Sequence, residues 1–349
     1  MALATPLIRA TRRAVCPICG HPDYCSFAPD GTVALCYRDV PVPIGWRMLK
    51  TGVSATGQFR VCVPDTPLMV PHRSSQRTAV SSSSTPVSCA PLAMRHAVYR
   101  AWWTMLTLTA DHAQALSQRG LTDRDLQAYR TWPADHRAQH RVLARLWDRF
   151  GDTLWTIPGF YRHDSGAPRS TALPGLWIPV CDAQGAIQAV KCRPDTPWRG
   201  LKYYWLSSGS HGGPSSGAPV SFPPGFAQAP FALDLVRITE GELKAHVAQT
   251  LSGIRTISAP GVGGGLAAFR ALQAWWDRAK IPVTRRRLLV AFDQDVPPNP
   301  HVAQARRQLV QAALRAGITT WCEEWDAVAG KGIDDVLRNA PAALGRVLC

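Results

Sequence analysis

Four carboxylates in the last third of this 349-residue chain stand where chemistry could be done: Glu240, Asp293, Asp295 and Asp334. Glu240 lies in Ile238-Thr-Glu-Gly-Glu242, where an apolar run meets a helical pattern and Gly241 frees the backbone to turn. Asp293 and Asp295 close a second apolar run, 287–292, and a spacing of two puts both carboxylates on one side of an extended segment. Asp334, in Lys331-Gly-Ile-Asp-Asp335, ends the next crossover and can reach the same rim. Converging carboxylates repel one another unless a cation joins them, and Mg²⁺ or Mn²⁺ is the expected guest because it takes hard oxygen ligands and brings phosphate with it. The expectation is a divalent-metal site for nucleic-acid phosphates built from Glu240, Asp293 and Asp295, with Asp334 within reach of it. A DxD standing alone would be a solvated loop or a helix cap; the ordered set is the stronger signal. Lys244 reads either as a phosphate-facing cation or as an exposed helix residue. The glycine run at 261–265 either offers backbone N–H groups to phosphate or makes a tight turn, and the turn is favoured.

A second constellation lies near the N-terminus. Cys16-Pro-Ile-Cys19-Gly20 is a CxxC knuckle, and Cys25 and Cys36 flank a hairpin pattern with Asp30-Gly31 at its turn. Together they make a four-thiolate tetrahedral Zn²⁺ site, with His21 the rival for the place of Cys25. So small a module buries little apolar surface, so metal would supply its stability. A closed site has no open catalytic position; its role is folding and surface presentation, with Arg12, Arg13, Arg38 and Arg47 suited to nucleic-acid phosphates. The other six of the ten cysteines, Cys62, Cys89, Cys181, Cys192, Cys322 and Cys349, read as small buried apolar residues or bystanders.

The elements that must position these residues follow from pattern. From 233 onward, strands at 235–239, 255–258, 287–292 and 319–323 alternate with helices at 242–251, about 265–280, 302–316 and from 334. Such alternation builds a mainly parallel sheet with helices on both faces and its sites at the carboxyl ends of the strands. Upstream, 175–180 and 186–193 pair as a hairpin through the turn Asp182-Ala-Gln-Gly185, and 202–205 is a further strand. Two helical stretches precede them, at 97–106 and 113–128, the second broken near Gly120 with a fresh N-cap at Thr122. Four segments result: a zinc ribbon at 1–50, a flexible Ser/Pro linker at 51–94 containing Ser81-Ser-Ser-Ser-Thr-Pro86, a helical and β subdomain at 95–230, and a sheet domain at 231–349.

Composition narrows the partners. The chain carries 39 Lys+Arg against 24 Asp+Glu, a net charge of +15. That surplus suits a polyanion, nucleic acid first, although an arginine-rich composition alone would also give it. No apolar run of about 18 residues and no secretory h-region is visible, so a cytoplasmic protein without membrane contact is expected, and cysteines in that compartment are not read as disulfides.

The ordered succession resembles a family. The cysteine module, Gln118-Arg-Gly-Leu-Thr-Asp-Arg-Asp125, Leu176-Trp-Ile-Pro-Val-Cys-Asp-Ala-Gln-Gly-Ala-Ile187, Val190-Lys-Cys-Arg193, Lys202-Tyr-Tyr-Trp-Leu-Ser207 and the EG, DxD and KGxDD signals look like bacterial DnaG-type and phage primases, closest to the primase-like proteins of plasmids, prophages and integrative elements. The resemblance covers roughly 16–40 and 115–338. It implies an α/β fold: a zinc ribbon, a linker, then a primase-like core with a small α+β subdomain and a Toprim parallel-sheet domain. It matches Glu240 to the Toprim glutamate, Asp293 and Asp295 to its DxD, and Asp334 to the later metal-supporting acid. Lys191, Arg193, Lys202 and Lys244 become the residues expected to hold template or nucleotide. The implied activity is RNA primer synthesis on single-stranded DNA from NTPs by two-metal-type phosphoryl transfer, for replication of a mobile element. Cofactors would be structural Zn²⁺ and catalytic Mg²⁺ or Mn²⁺. No P-loop GxxxxGK[ST] is present, so a replicative helicase would be a partner in trans. The competing expectations are a non-catalytic single-stranded-DNA-binding accessory and a Toprim nuclease.

Overall fold

The computed structural model describes residues 7–11, 14–29, 31–43, 45–54, 57–64, 88–197, 201–293 and 300–349. Arg12, Arg13, Asp30, Asp295 and the Ser/Pro tract at 81–86 lie outside them. The chain divides into two compact units, Met1–Ser82 and Ser83–Cys349.

The first unit is a five-stranded antiparallel sheet in the order β1-β2-β3-β5-β4. Its strands are β1 (Ile8–Arg9), β2 (Ser26–Phe27), β3 (Ala34–Cys36), β4 (Trp46–Ser54) and β5 (Gly57–Pro64). The linker expected from residue 51 is corrected here: residues 51–54 continue β4, and 57–64 form β5, paired from Trp46↔Pro64 to Ser54↔Gly57. The period-two alternation of Phe59, Val61 and Val63 carries β5, and it is easily missed beside Gly52 and Gly57. Its buried clusters are small: Ala10, Cys16, Ile18, Cys25, Ala34, Cys36 and Cys62 form one, more than half cysteine, and Ala28, Val33 and Val61 form the other.

The second unit begins with α1 (Leu92–Thr104), α2 (Ala110–Ser117) and α3 (Asp123–Leu126), followed by β6 (Arg130–Trp132), α4 (His136–Phe150), β7 (Phe160–Arg162) and β8 (Pro168–Ser170). The start of α1 at Leu92 again shortens the expected linker. The elements β6 to β8 carry no assignment in the sequence reading. Of these, α4 has the clearest cause: Asp135 caps it through the N–H groups of Arg137 and Ala138, and Val142, Leu143 and Leu146 form its buried face. Next come β9 (Gly175–Cys181), β10 (Ile187–Pro194) and β11 (Tyr204–Trp205), which with β6 make an antiparallel sheet in the order β11-β10-β9-β6. One face of this sheet meets α1 and α4 through Trp177, Val190 and Cys192; there Trp102 lies edge-on to Trp177 at 4.3 Å and to Trp132 at 5.2 Å. The other face, through Leu176 and Ile178, packs on Leu243 and Val247 of the following domain.

That domain is built on β12 (Leu235–Glu240), α5 (Glu242–Ser252), β13 (Arg255–Ala259), α6 (Gly265–Arg278), β14 (Arg287–Ala291), α7 (Pro300–Arg315), β15 (Thr319–Glu324), α8 (Ile333–Asn339) and β16 (Gly345–Leu348). The strand order is β13-β12-β14-β15-β16, parallel except for the last pair. Val236, Ile238, Leu288 and Val290 face α6 and α7, while Ala291 packs with Ala248 of α5 and Ile333 and Val336 of α8. Sequence reading anticipates every element of this domain except β16, because each is a run of apolar residues at period two or 3.6. No helix of the described residues is long and apolar enough to cross a membrane.

Candidate functional site

The chain leaves β12, crosses through α5 to β13 on one side, and returns through α6 to β14 on the other. Where strand order reverses, the crossover connections part and leave a crevice at the carboxyl ends of the strands. Glu240 is the last residue of β12 and is half-buried. Gly241, at φ 84°, then makes a turn that a side chain would strain, and α5 begins at once. Thr239 is level with Ala291 of β14, so Asp293 follows two residues beyond that neighbouring strand's end. Asp334 sits in the first turn of α8 and is 3% exposed.

The structure brings basic side chains to this rim. Lys244 of α5 is ion-paired with Asp293. Arg119, from the turn after α2, donates to Asp334 Oδ2 at 2.5 Å. Burial pulls the Arg119 guanidinium down, but the charge and hydrogen bond of Asp334 outweigh it and hold its pKa above the ordinary value. Lys191 of β10 donates to Glu242 Oε2 at 2.7 Å and lies 4.9 Å from the Trp205 ring centre. Lys202 is exposed beside the Tyr203 ring at 5.8 Å, and no ion pair among the described residues includes Lys202 or Arg193. Of the four expected nucleotide-binding residues, then, Lys191 and Lys244 meet the acidic segment and the other two are left to solvent or ligand. Sequence reasoning passed over Arg119; its signal was the Gln118-Arg-Gly-Leu segment, noted without a role.

Carboxylate oxygens suit Mg²⁺ or Mn²⁺, and Asp334 Oδ1 is buried without a hydrogen-bond partner, which fits such an ion. The described acids do not close on a single point, however. Among the described residues, the one set of ligand atoms close enough to share an ion is Cys16, Cys19, Cys25 and Cys36, all within 4.8 Å of one another. Cys19 Sγ is 3.7 Å from Cys25 Sγ, and Cys25 Sγ is 3.9 Å from Cys36 Sγ. A tetrahedral zinc with bonds near 2.3 Å separates its sulfurs by about 3.8 Å. The donor set therefore fits Zn²⁺, and His21, exposed and meeting the cluster through its backbone, is not one of the four. Burial pushes the Cys25 thiol well up and Cys36 to about 11, whereas at Cys19 burial is outweighed by hydrogen bonds from the His21 backbone and the neighbouring thiols. A bound cation would offset that penalty at Cys25 and Cys36.

A family described as a domain of unknown function (DUF3854) matches residues 232–343, the parallel-sheet domain. No curated protein matches the chain. Among solved structures, the zinc-binding and RNA polymerase domains of the Aquifex aeolicus primase align with TM-score 0.51 at 11% identity, over 74% of this chain and 63% of that one. The RNA polymerase domain of Mycobacterium tuberculosis primase DnaG aligns with TM-score 0.51 at 15% identity, over 72% of this chain and 82% of that one. The same domain in complex with a double-stranded DNA oligomer bearing a 6-nucleotide overhang gives 0.51 at 14%, over 74% and 83%. This chain thus spans just under two thirds of the Aquifex chain. At these identities the likeness is one of fold: a mixed α/β protein with an N-terminal four-cysteine cluster and a core folded like the primase catalytic core.

Proposed function

We propose that the protein is a primase-type nucleotidyltransferase that makes short RNA primers on single-stranded DNA, with a Toprim-type metal site in its parallel-sheet domain. The reading is supported above all by one observation: Glu240 and Asp293 stand at the carboxyl ends of adjacent parallel strands at the strand-order reversal, in a primase-core-like fold. Glu240, Asp293, Asp295 and Asp334 would hold Mg²⁺ or Mn²⁺, which offsets charge on the transferring phosphate and the leaving pyrophosphate when bound. Lys191 and Arg193, on the sheet packed against α5, and Lys202, just before its edge strand β11, would hold template or the incoming NTP, and Arg119 fixes Asp334. The four cysteines would take Zn²⁺ and present a basic surface to the template. The setting we propose is cytoplasmic replication of a mobile element, with a helicase partner in trans.

Primer synthesis on single-stranded templates, with labelled NTPs and Mg²⁺ or Mn²⁺, tests this. Wild type is expected to extend, and Asp293→Ala to lose at least about a hundredfold, the scale of losing one preorganised electrostatic group. Product that persists undiminished in Asp293→Ala sinks the site assignment. A second reading, a non-catalytic single-stranded-DNA-binding accessory, is favoured by the ion pairs that hold Asp293 and Asp334 to protein cations. Binding without synthesis on any template or with any helicase would select it.

A further inference from the structure

The acidic rim carries a cation of its own. Lys244 rises from the first turn of α5, ion-pairs with Asp293, and has a side chain only 18% exposed. Its Nζ and Cε both lie within 2.8 Å of the point where a Cβ on Gly332 would stand, and Asp334 Oδ1 is 2.7 Å from that same point. The backbone gives no reason for glycine there, because φ −115° and ψ 161° are open to any residue. What the missing side chain leaves is space, and the lysine and the aspartate use it. Asp334 Oδ1, buried and without a hydrogen-bond partner, is directed into that space.

We infer that Lys244 is the resident second cation of this site: its ammonium holds one of the two positive positions beside the carboxylates, so that the rim engages one divalent ion rather than two. The inference rests on the metal reading of the rim given above and refines it. A two-ion site needs enough carboxylate oxygen to anchor both ions about 3.5–4 Å apart. Here Asp293 is committed to Lys244 and Asp334 Oδ2 to Arg119. A second ion would have to displace the ammonium from Asp293 and leave a largely buried lysine against a divalent charge, which is strongly unfavourable. A phosphoanion entering the rim would meet one metal and one ammonium. Lys244 is in this sense a positioning residue: it sets how many ions the acids can accept.

The test counts ions in the zinc-loaded full chain by titrating Mn²⁺ and following the spin-resonance signal of free Mn²⁺, with no nucleotide or DNA present. Wild type is expected to bind one equivalent. Lys244→Met, similar in length and uncharged, is expected to bind two, and Lys244→Arg to return to one. Lys244→Gln, with a polar tip, serves in place of the methionine variant if that chain does not fold. Two equivalents in wild type, or one in both uncharged variants, overturns the inference. No binding in wild type overturns it together with the metal reading. Because no catalysis is measured, a count that rises from one to two stands even where primer synthesis is absent, so the two readings fail separately.

Discussion

At the scale of the residue, the rim is a balance of charges set by a few side chains. Three of its described acids, Glu242, Asp293 and Asp334, are drawn to different partners: Lys191 meets Glu242, Lys244 meets Asp293, and Arg119 meets Asp334. Partly buried pairs of this kind are valuable chiefly because removing one member strands the other. The glycine of the KGxDD segment can be probed without touching charge. Gly332→Ala forces a methyl into space filled by Asp334 and Lys244, whereas Gly263, whose absent Cβ would meet nothing within 4 Å, provides a control. We expect Gly332→Ala to cost about 1–3 kcal/mol in chemical denaturation and Gly263→Ala to stay within about 0.5 kcal/mol of wild type. Equal effects would show that the crowding at Gly332 is not what holds the lysine in place.

At the scale of the element, the short helix α3 is a fastening rather than a support. Thr122 accepts from the Asp125 N–H while Asp125 Oδ2 accepts from the Thr122 N–H, a reciprocal capping box. The same carboxylate reaches across to α5: His246 Nε2 lies 3.3 Å from Asp125 Oδ1, Thr250 donates to Oδ2 at 3.2 Å, and Tyr129 Oη lies 2.7 Å from His246 Nδ1. Burial would raise the Asp125 pKa, but the hydrogen bonds from His246 and Thr122 outweigh it and depress the carboxyl below its usual range. A depressed folded pKa gives stability that is present above the unfolded value, near 3.9, and lost as pH falls through the folded one. Asp125→Ala should therefore destabilise by about 1–2 kcal/mol at pH 7, and the gap to wild type should narrow progressively below about pH 4. Thermal melts of both proteins from pH 7 to pH 3 measure it; a gap unchanged across that range contradicts the account.

At the scale of the whole molecule, the two units differ in what holds them together. The second unit has large cores, one around Trp102, Trp132 and Trp177 and another between the parallel sheet and α6 and α7. The first unit has only two small clusters, one of Cys16, Cys25, Cys36 and Cys62 with Ala10, Ile18 and Ala34 and one of Ala28, Val33 and Val61, too small to fold by apolar burial alone. Metal binding is then folding free energy, on the order of 10–16 kcal/mol for structural zinc in comparable small modules. Chelation, or Cys16→Ser, is expected to remove one zinc per chain and to abolish amide protection in β2 to β5 while protection in β12, β14 and β15 persists. Hydrogen exchange followed by mass spectrometry reads both units in one sample. Stoichiometric zinc retained by Cys16→Ser would show the ligand set to be wrong.

The parallel-sheet domain and the cysteine cluster are legible in the amino-acid order alone, because both depend on local signals. Apolar runs at strand and helix periods mark β12 to β15 with their helices, and a CxxC knuckle followed by Cys25 and Cys36 marks four thiols that the fold indeed gathers. The same order places Glu240 and Asp293 at strand ends, since an acidic residue after an apolar strand is a local feature. Which cation meets which acid, by contrast, follows from long-range packing. Arg119 and Asp334 are 215 residues apart in the chain, and Lys191 and Glu242 are 51 apart, distances that no periodicity reports. The same holds for β4 and β5, whose extent is fixed by pairing with each other and with β3 rather than by pattern alone. The four-residue edge strand β16 likewise exists because β15 offers it a ladder. The ionic state of the rim is thus a property of how the α2–α3 turn, β10, α5 and α8 converge, and burial there makes each pairing matter more than it would in water.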